Sequence, residues 1–103
     1  MDIEAIAKEH EMDVDDVEML LEVFKSSVND SLGKLKTAIG AGDNEGVRFA
    51  LHKIAGSSAS IFGLSHINQI AREGENNIRA GKSIDAPSIL NTIETALKQA
   101  GII

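Results

Sequence analysis

Val14–Ile39 reads VDDVEMLLEVFKSSVNDSLGKLKTAI, and the spacing of its apolar residues decides the fold class. Val14, Val17, Leu20, Leu21, Phe24, Val28, Leu32, Leu35, Ala38 and Ile39 follow one another mostly at steps of three and four, which lays them along one stripe of a helix. Asp13 or Asp15 can cap its start, and Gly40 and Gly42 punctuate its end. Gly33 and the Ser26–Ser27 pair are its weak points, where so long a helix can bend. Ahead of it, Ile3 to Ala7 forms a short separate helix with Asp2 as N-cap.

Three more helices follow from the same reasoning. A second long one runs from about Asp43 to Phe62, with Val47, Leu51, Ile54, Ser58 and Ile61 inward, and Gly63 breaks it. A third runs from Ser65, as N-cap, to Arg79 or Ala80, with Ile67, Ile70, Ala71, Gly74 and Ile78 inward, and stops at Gly81. The fourth begins near Asp85, holds Pro87 in its first turn where a missing N–H costs little, and buries Ile89, Leu90, Ile93 and Leu97 before Gly101. No segment alternates with period two. Each stripe is too narrow to bury itself, so the expected fold is an all-α antiparallel four-helix bundle with a short extra N-terminal helix, one domain over residues 1–103.

Composition narrows the function classes. The chain has 43% apolar residues but only three Phe and no Trp or Tyr, so the core must be mainly Ile, Leu, Val and Ala. Without Cys there is no disulfide framework, thiolate metal site or Cys nucleophile. A net charge of −6 opposes nucleic-acid binding, because a phosphate backbone would be repelled. No long uncharged apolar run is present, and Asp2, Glu4, Lys8 and Glu9 stand where a signal peptide would be apolar. The expectation is a soluble, monomeric, cytoplasmic protein. Glycine-rich phosphate loops, zinc-protease motifs and calcium loops are all missing. His10, His52 and His66 fall on three different segments without ligand spacing, so no metal or cofactor site is expected.

One stretch resists a purely structural reading: Phe49-Ala50-Leu51-His52-Lys53-Ile54-Ala55-Gly56-Ser57-Ser58-Ala59-Ser60-Ile61-Phe62-Gly63. At 100° per residue, His52 points roughly 130° away from the inner stripe, with Arg48, Phe49, Gly56 and Ala59 as its outer neighbours. Gly56, read as mid-helix, costs about 0.5–1 kcal/mol relative to alanine. A bare backbone beside an exposed imidazole suits the approach of a second macromolecule. The neutral form of imidazole is common near pH 7, so one nitrogen can attack phosphorus while a hydrogen bond to the other fixes the tautomer.

These residues resemble the signature of histidine-containing phosphotransfer (HPt) domains. His52, Ile54, Gly56, Ser57, Ser58 and Gly63 match its pattern, and the resemblance extends over nearly the whole chain. It implies that His52 accepts a phosphoryl group from a receiver-domain aspartate or a hybrid sensor kinase and donates it to another receiver of a response regulator. It further implies a phosphocarrier without kinase activity, the receiver bringing the divalent cation. Phe49, Gly56 and Ala59 would then form the docking face.

Two departures bear on the site. The family commonly has Lys three residues after the histidine, where this chain has Ala55; Arg48 or Lys53 would supply the phosphate-side charge instead. Gly63 also falls one residue later than usual, and carrying that residue forward places Glu75 where the family holds the side chain that orients the ring, with Glu73 and Arg72 as the alternatives. A reading of another class stays open: a non-catalytic adaptor or dimerisation module that uses the exposed face around Phe49 and Gly56.

Overall fold

The computed structural model describes all 103 residues as five α-helices and no strand. They are α1 (Ile3–Glu9), α2 (Val14–Gly40), α3 (Asn44–Ala55), α4 (Ser65–Arg79) and α5 (Ala86–Gln99), with a 3-10 helix, Ser58–Phe62, between α3 and α4. Aspartates start three of them. The carboxylates of Asp2, Asp43 and Asp85 accept the backbone N–H of Ala5, Gly46 and Ser88 at 3.0, 3.0 and 3.1 Å, satisfying donors that a helix N-terminus otherwise leaves open. Asp13 precedes α2 without a side-chain cap bond. The N-cap of α4 is Leu64, not the expected Ser65, which is already the first helical residue; buried Leu64 anchors that corner through its apolar side chain.

The 27 residues of α2 span about 40 Å at 1.5 Å per residue, close to the 42 Å long dimension of the molecule. It forms the spine. α2 packs on α3 and α5, and α4 packs on the same two, closing a four-helix ring; α1 lies against α2. The core is aliphatic, built on buried Val17, Leu35, Leu51, Ile54, Ile67, Ile93 and Leu97. Two of the three phenylalanines join it: the rings of Phe24 and Phe62 stack with centroids 5.3 Å apart. No helix is long and apolar enough to cross a membrane.

Gly74 sets the spacing of α4. A Cβ at that position would stand 2.8 Å from Leu51 Cδ1 and 3.2 Å from Ile89 Cδ1, so α4 approaches both neighbours more closely than an alanine would allow without a shift. The next residue, Glu75, is thereby brought against α3.

The expected continuous helix from Asp43 to Phe62 is broken. α3 ends at Ala55 with Gly56 as its C-cap, and the chain resumes as the 3-10 helix after Ser57. The break changes the helical phase. A continuous helix would turn Ser58 and Ile61 inward, but both are half-buried, while Ala59 and Phe62 enter the core. Ala59 is fully buried, so the expectation that it belongs to an exposed docking face is wrong. Gly63 closes the 3-10 helix at φ 74°, a left-handed conformation that glycine adopts without strain.

Candidate functional site

His52 lies in the last turn of α3, one turn before the break, and its side chain is 60% exposed. Glu75 comes to it from α4, with a side chain only 8% exposed. Nδ1 of His52 stands 2.8 Å from Glu75 Oε2 and 3.1 Å from Oε1. The angle favours Oε1 as the acceptor, since Oε2 finds no well-aligned donor despite its shorter distance. An ionised carboxylate only accepts, so Nδ1 must carry the proton. That fixes the tautomer: Nε2 holds the lone pair, and no protein group hydrogen-bonds it. The site is an exposed nucleophilic nitrogen on a ring clamped from behind.

The clamp belongs to a polar stripe on α4. Asn68, Arg72, Glu75 and Arg79 recur at steps of four, three and four, which places them on one face. The first three meet the antiparallel α3 or the residues that follow it in turn, and the fourth pairs with the third. The amide nitrogen of Asn68 donates toward the carbonyls of Ile54, Ala55 and Ser57 at 3.1, 3.2 and 3.0 Å. Arg72 Nη2 donates to the Ala55 carbonyl at 3.2 Å. Glu75 takes the imidazole, and Arg79 Nη2 lies 3.6 Å from Glu75 Oε1. Ser57 Oγ also donates to the Ile54 carbonyl at 2.8 Å. The carbonyls at the end of α3 are thus satisfied by side chains instead of by a further helical turn, which is why the helix stops there.

Gly56 is exposed beside His52, as its place in the sequence suggested, but it is a C-cap and not a mid-helix residue. Its φ of −91° is open to any residue, and an added Cβ would meet only backbone oxygens at 3.6 and 3.9 Å. The backbone therefore does not require glycine here. Phe49, 53% exposed, stands one turn before His52 and borders a groove of about 840 Å³ between α2 and α3.

The two expected phosphate-side cations are engaged elsewhere. Arg48 donates through Nε and Nη2 to Glu45 Oε1; these hydrogen bonds hold the Glu45 carboxyl below its usual range and raise the guanidinium. The Lys53 ammonium sits over the Phe49 ring, 5.4 Å from its centroid. Neither makes a hydrogen bond or ion pair with His52. Of the alternatives to Glu75, Glu73 is exposed and forms no side-chain hydrogen bond or ion pair, and Arg72 faces the end of α3 and not the ring nitrogen. His10, the C-cap of α1, and His66, in the first turn of α4, are exposed and unpartnered.

Sequence reasoning missed the clamp formed by Asn68 and Arg72. One signal was available: Asn68 sits between Ile67 and Ala71 on the apolar side of α4, and a buried amide there needs acceptors. No three His, Cys, Asp or Glu side chains converge closely enough to hold a metal ion.

No curated protein and no solved structure matches the chain significantly. The model of the Hpt domain matches residues 19–101, from the first third of α2 to the turn that follows α5, and the chain belongs to this family of histidine phosphotransfer domains, which exchange phosphoryl groups with receiver domains in phosphorelays.

Proposed function

We propose that Nε2 of His52 is the phosphoryl acceptor of this domain, loaded from a receiver aspartate or through a hybrid sensor kinase and unloaded onto the aspartate of another receiver. One observation carries this reading: an exposed imidazole whose Nδ1 is held by a buried carboxylate, leaving Nε2 free. Glu75 orients the ring and balances the positive charge that develops on it during attack. The chain has no kinase activity of its own, and the divalent cation is brought by the receiver. Docking uses Phe49 and Gly56: the phenyl ring offers apolar contact area, and the bare Cα lets the partner's aspartate approach the ring. The domain works as a monomer in the cytoplasm.

The test is incubation with a phosphorylated receiver, followed by mass spectrometry. The chain should gain an acid-labile, alkali-resistant phosphoryl group on His52, and His52→Gln should lose it while keeping its fold, since the position is exposed. Glu75→Ala should slow transfer with receiver binding near normal, whereas Glu75→Gln, which can still accept through its amide oxygen, should be mild. Label that survives His52→Gln would overturn the assignment. Receiver binding without any label would return the chain to the class of docking modules.

A further inference from the structure

We propose that Arg72 is the side chain that binds the phosphoryl group once it is on His52, an inference that rests on the reading of His52 as acceptor. In the transfer, the Nε2 lone pair forms the N–P bond as the P–O bond to the receiver's aspartate breaks, and that electron pair leaves with the carboxylate. Nδ1 keeps its proton against Glu75, so the ring becomes cationic and the phosphoryl group carries two negative charges. Those charges sit on the exposed side of the ring, opposite Glu75. They need a cation from this chain if phosphohistidine is to persist after the receiver departs.

Four cations lie on α3 or on the α4 stripe that carries Glu75. Arg48 is committed to Glu45. Lys53 is engaged by the Phe49 ring, over which its ammonium lies. Arg79 has Glu75 as its carboxylate partner. Arg72 alone is held at this site by a neutral backbone carbonyl, that of Ala55, and forms no ion pair, so its charge is uncompensated and most of its five donors are free.

Its position fits the role. Arg72 precedes Glu75 by three residues on α4, and Ala55 follows His52 by three on α3, so the guanidinium lies one turn along from the clamped ring. Beside them on the surface Gly56 has no side chain, and the Ala55 methyl is buried in the core. A small swing would exchange the Ala55 carbonyl for phosphoryl oxygens, which the planar guanidinium can meet with two parallel hydrogen bonds.

The experiment measures the equilibrium of phosphoryl exchange between a phosphorylated receiver and four proteins: wild type, Arg72→Gln, Arg72→Lys and the double variant Arg72→Gln/Ala55→Lys. Glutamine retains a donor for the Ala55 carbonyl but no charge, so the helix end is kept. Arg72→Gln should shift the equilibrium toward the receiver by roughly three- to tenfold, the range for an exposed charge-assisted contact. The shift should shrink at high salt. Arg72→Lys should retain most of the wild-type equilibrium, and Ala55→Lys should restore part of what Arg72→Gln loses. A role confined to ending α3 would lower the melting temperature and leave the equilibrium unmoved. Wild type labelled on His52 with an equal equilibrium for Arg72→Gln overturns this inference and leaves the acceptor reading standing. Absence of label on wild-type His52 overturns the acceptor reading and this one with it.

Discussion

α2 runs from Val14 to Gly40 without interruption, through Ser26–Ser27 and the exposed Gly33, whereas α3 stops at Gly56 although the apolar pattern continues beyond it. Both stretches contain a glycine and paired serines. The difference lies in what faces them. Nothing on a neighbouring helix takes the backbone carbonyls of α2 at those points, and only its own Thr37 bonds back to the Gly33 carbonyl. At the end of α3, Asn68 and Arg72 of α4 take the carbonyls of Ile54, Ala55 and Ser57. The break is imposed across the helix–helix interface, and the stripe that imposes it also holds His52.

A large effect on stability should come from removing that imposition. Asn68→Ala takes away the only donor to the Ser57 carbonyl and one donor each from the carbonyls of Ile54 and Ala55, at a cost of about 1–3 kcal/mol, which lowers the melting temperature by roughly 4–8 °C per kcal/mol in a chain of this size. Thermal denaturation followed by circular dichroism measures it. An unchanged melting temperature would mean that Gly56 and Ser57 end the helix unaided.

Two glycines sharpen the contrast between interface and open face. Gly74→Leu must push into Leu51 and Ile89 and should cost about 1–3 kcal/mol. A Cβ at Gly56 meets only ordinary contacts, so Gly56→Leu should change stability by less than about 0.5 kcal/mol, yet slow phosphotransfer sharply by keeping the receiver from the ring. If the two variants melt alike, the account of α4 packing fails.

The fold was largely legible. Period and capping residues locate all five helices, because amphipathic stripes and aspartate caps are local signals. The break after Ala55 was not, since its cause lies 13 and 17 residues further on, in Asn68 and Arg72. Missing it carried the helical phase past Gly56 and put Ala59 on the wrong side. His52 and Gly56 escaped that error because they precede or form the break. Glu75 was reached only through the resemblance; periodicity gave no reason to choose it over Glu73. Arg48 and Lys53 were read as charges near the ring, but one turn of sequence proximity does not reveal that Glu45 and Phe49 compete for them.

Smaller effects complete the comparison. Gly33 is exposed in the middle of α2 with open space around it, so Gly33→Ala should stabilise by about 0.5–1 kcal/mol, read as a higher melting temperature. A loss instead would show that α2 uses that glycine. The smallest effect should be Arg48→Ala, which removes a surface pair between a half-buried guanidinium and an exposed carboxylate. The Glu45 carboxyl is depressed in the folded state, so the pair's contribution is present above the carboxylate's unfolded value and is lost as pH falls through the folded one. The small difference in melting temperature between wild type and Arg48→Ala should therefore be visible at neutral pH and vanish in strong acid. A difference that grew on acidification would contradict the pairing.

The central claim is that Glu75 fixes Nδ1 as the protonated nitrogen and leaves Nε2 of His52 to react. Protein with nitrogen-15 in its histidines, phosphorylated by a receiver, tests this through the phosphorus–nitrogen coupling seen by NMR. The account predicts one phosphoryl resonance, coupled to Nε2 of His52. A phosphoryl group on Nδ1 of His52, or on His10 or His66, would contradict it.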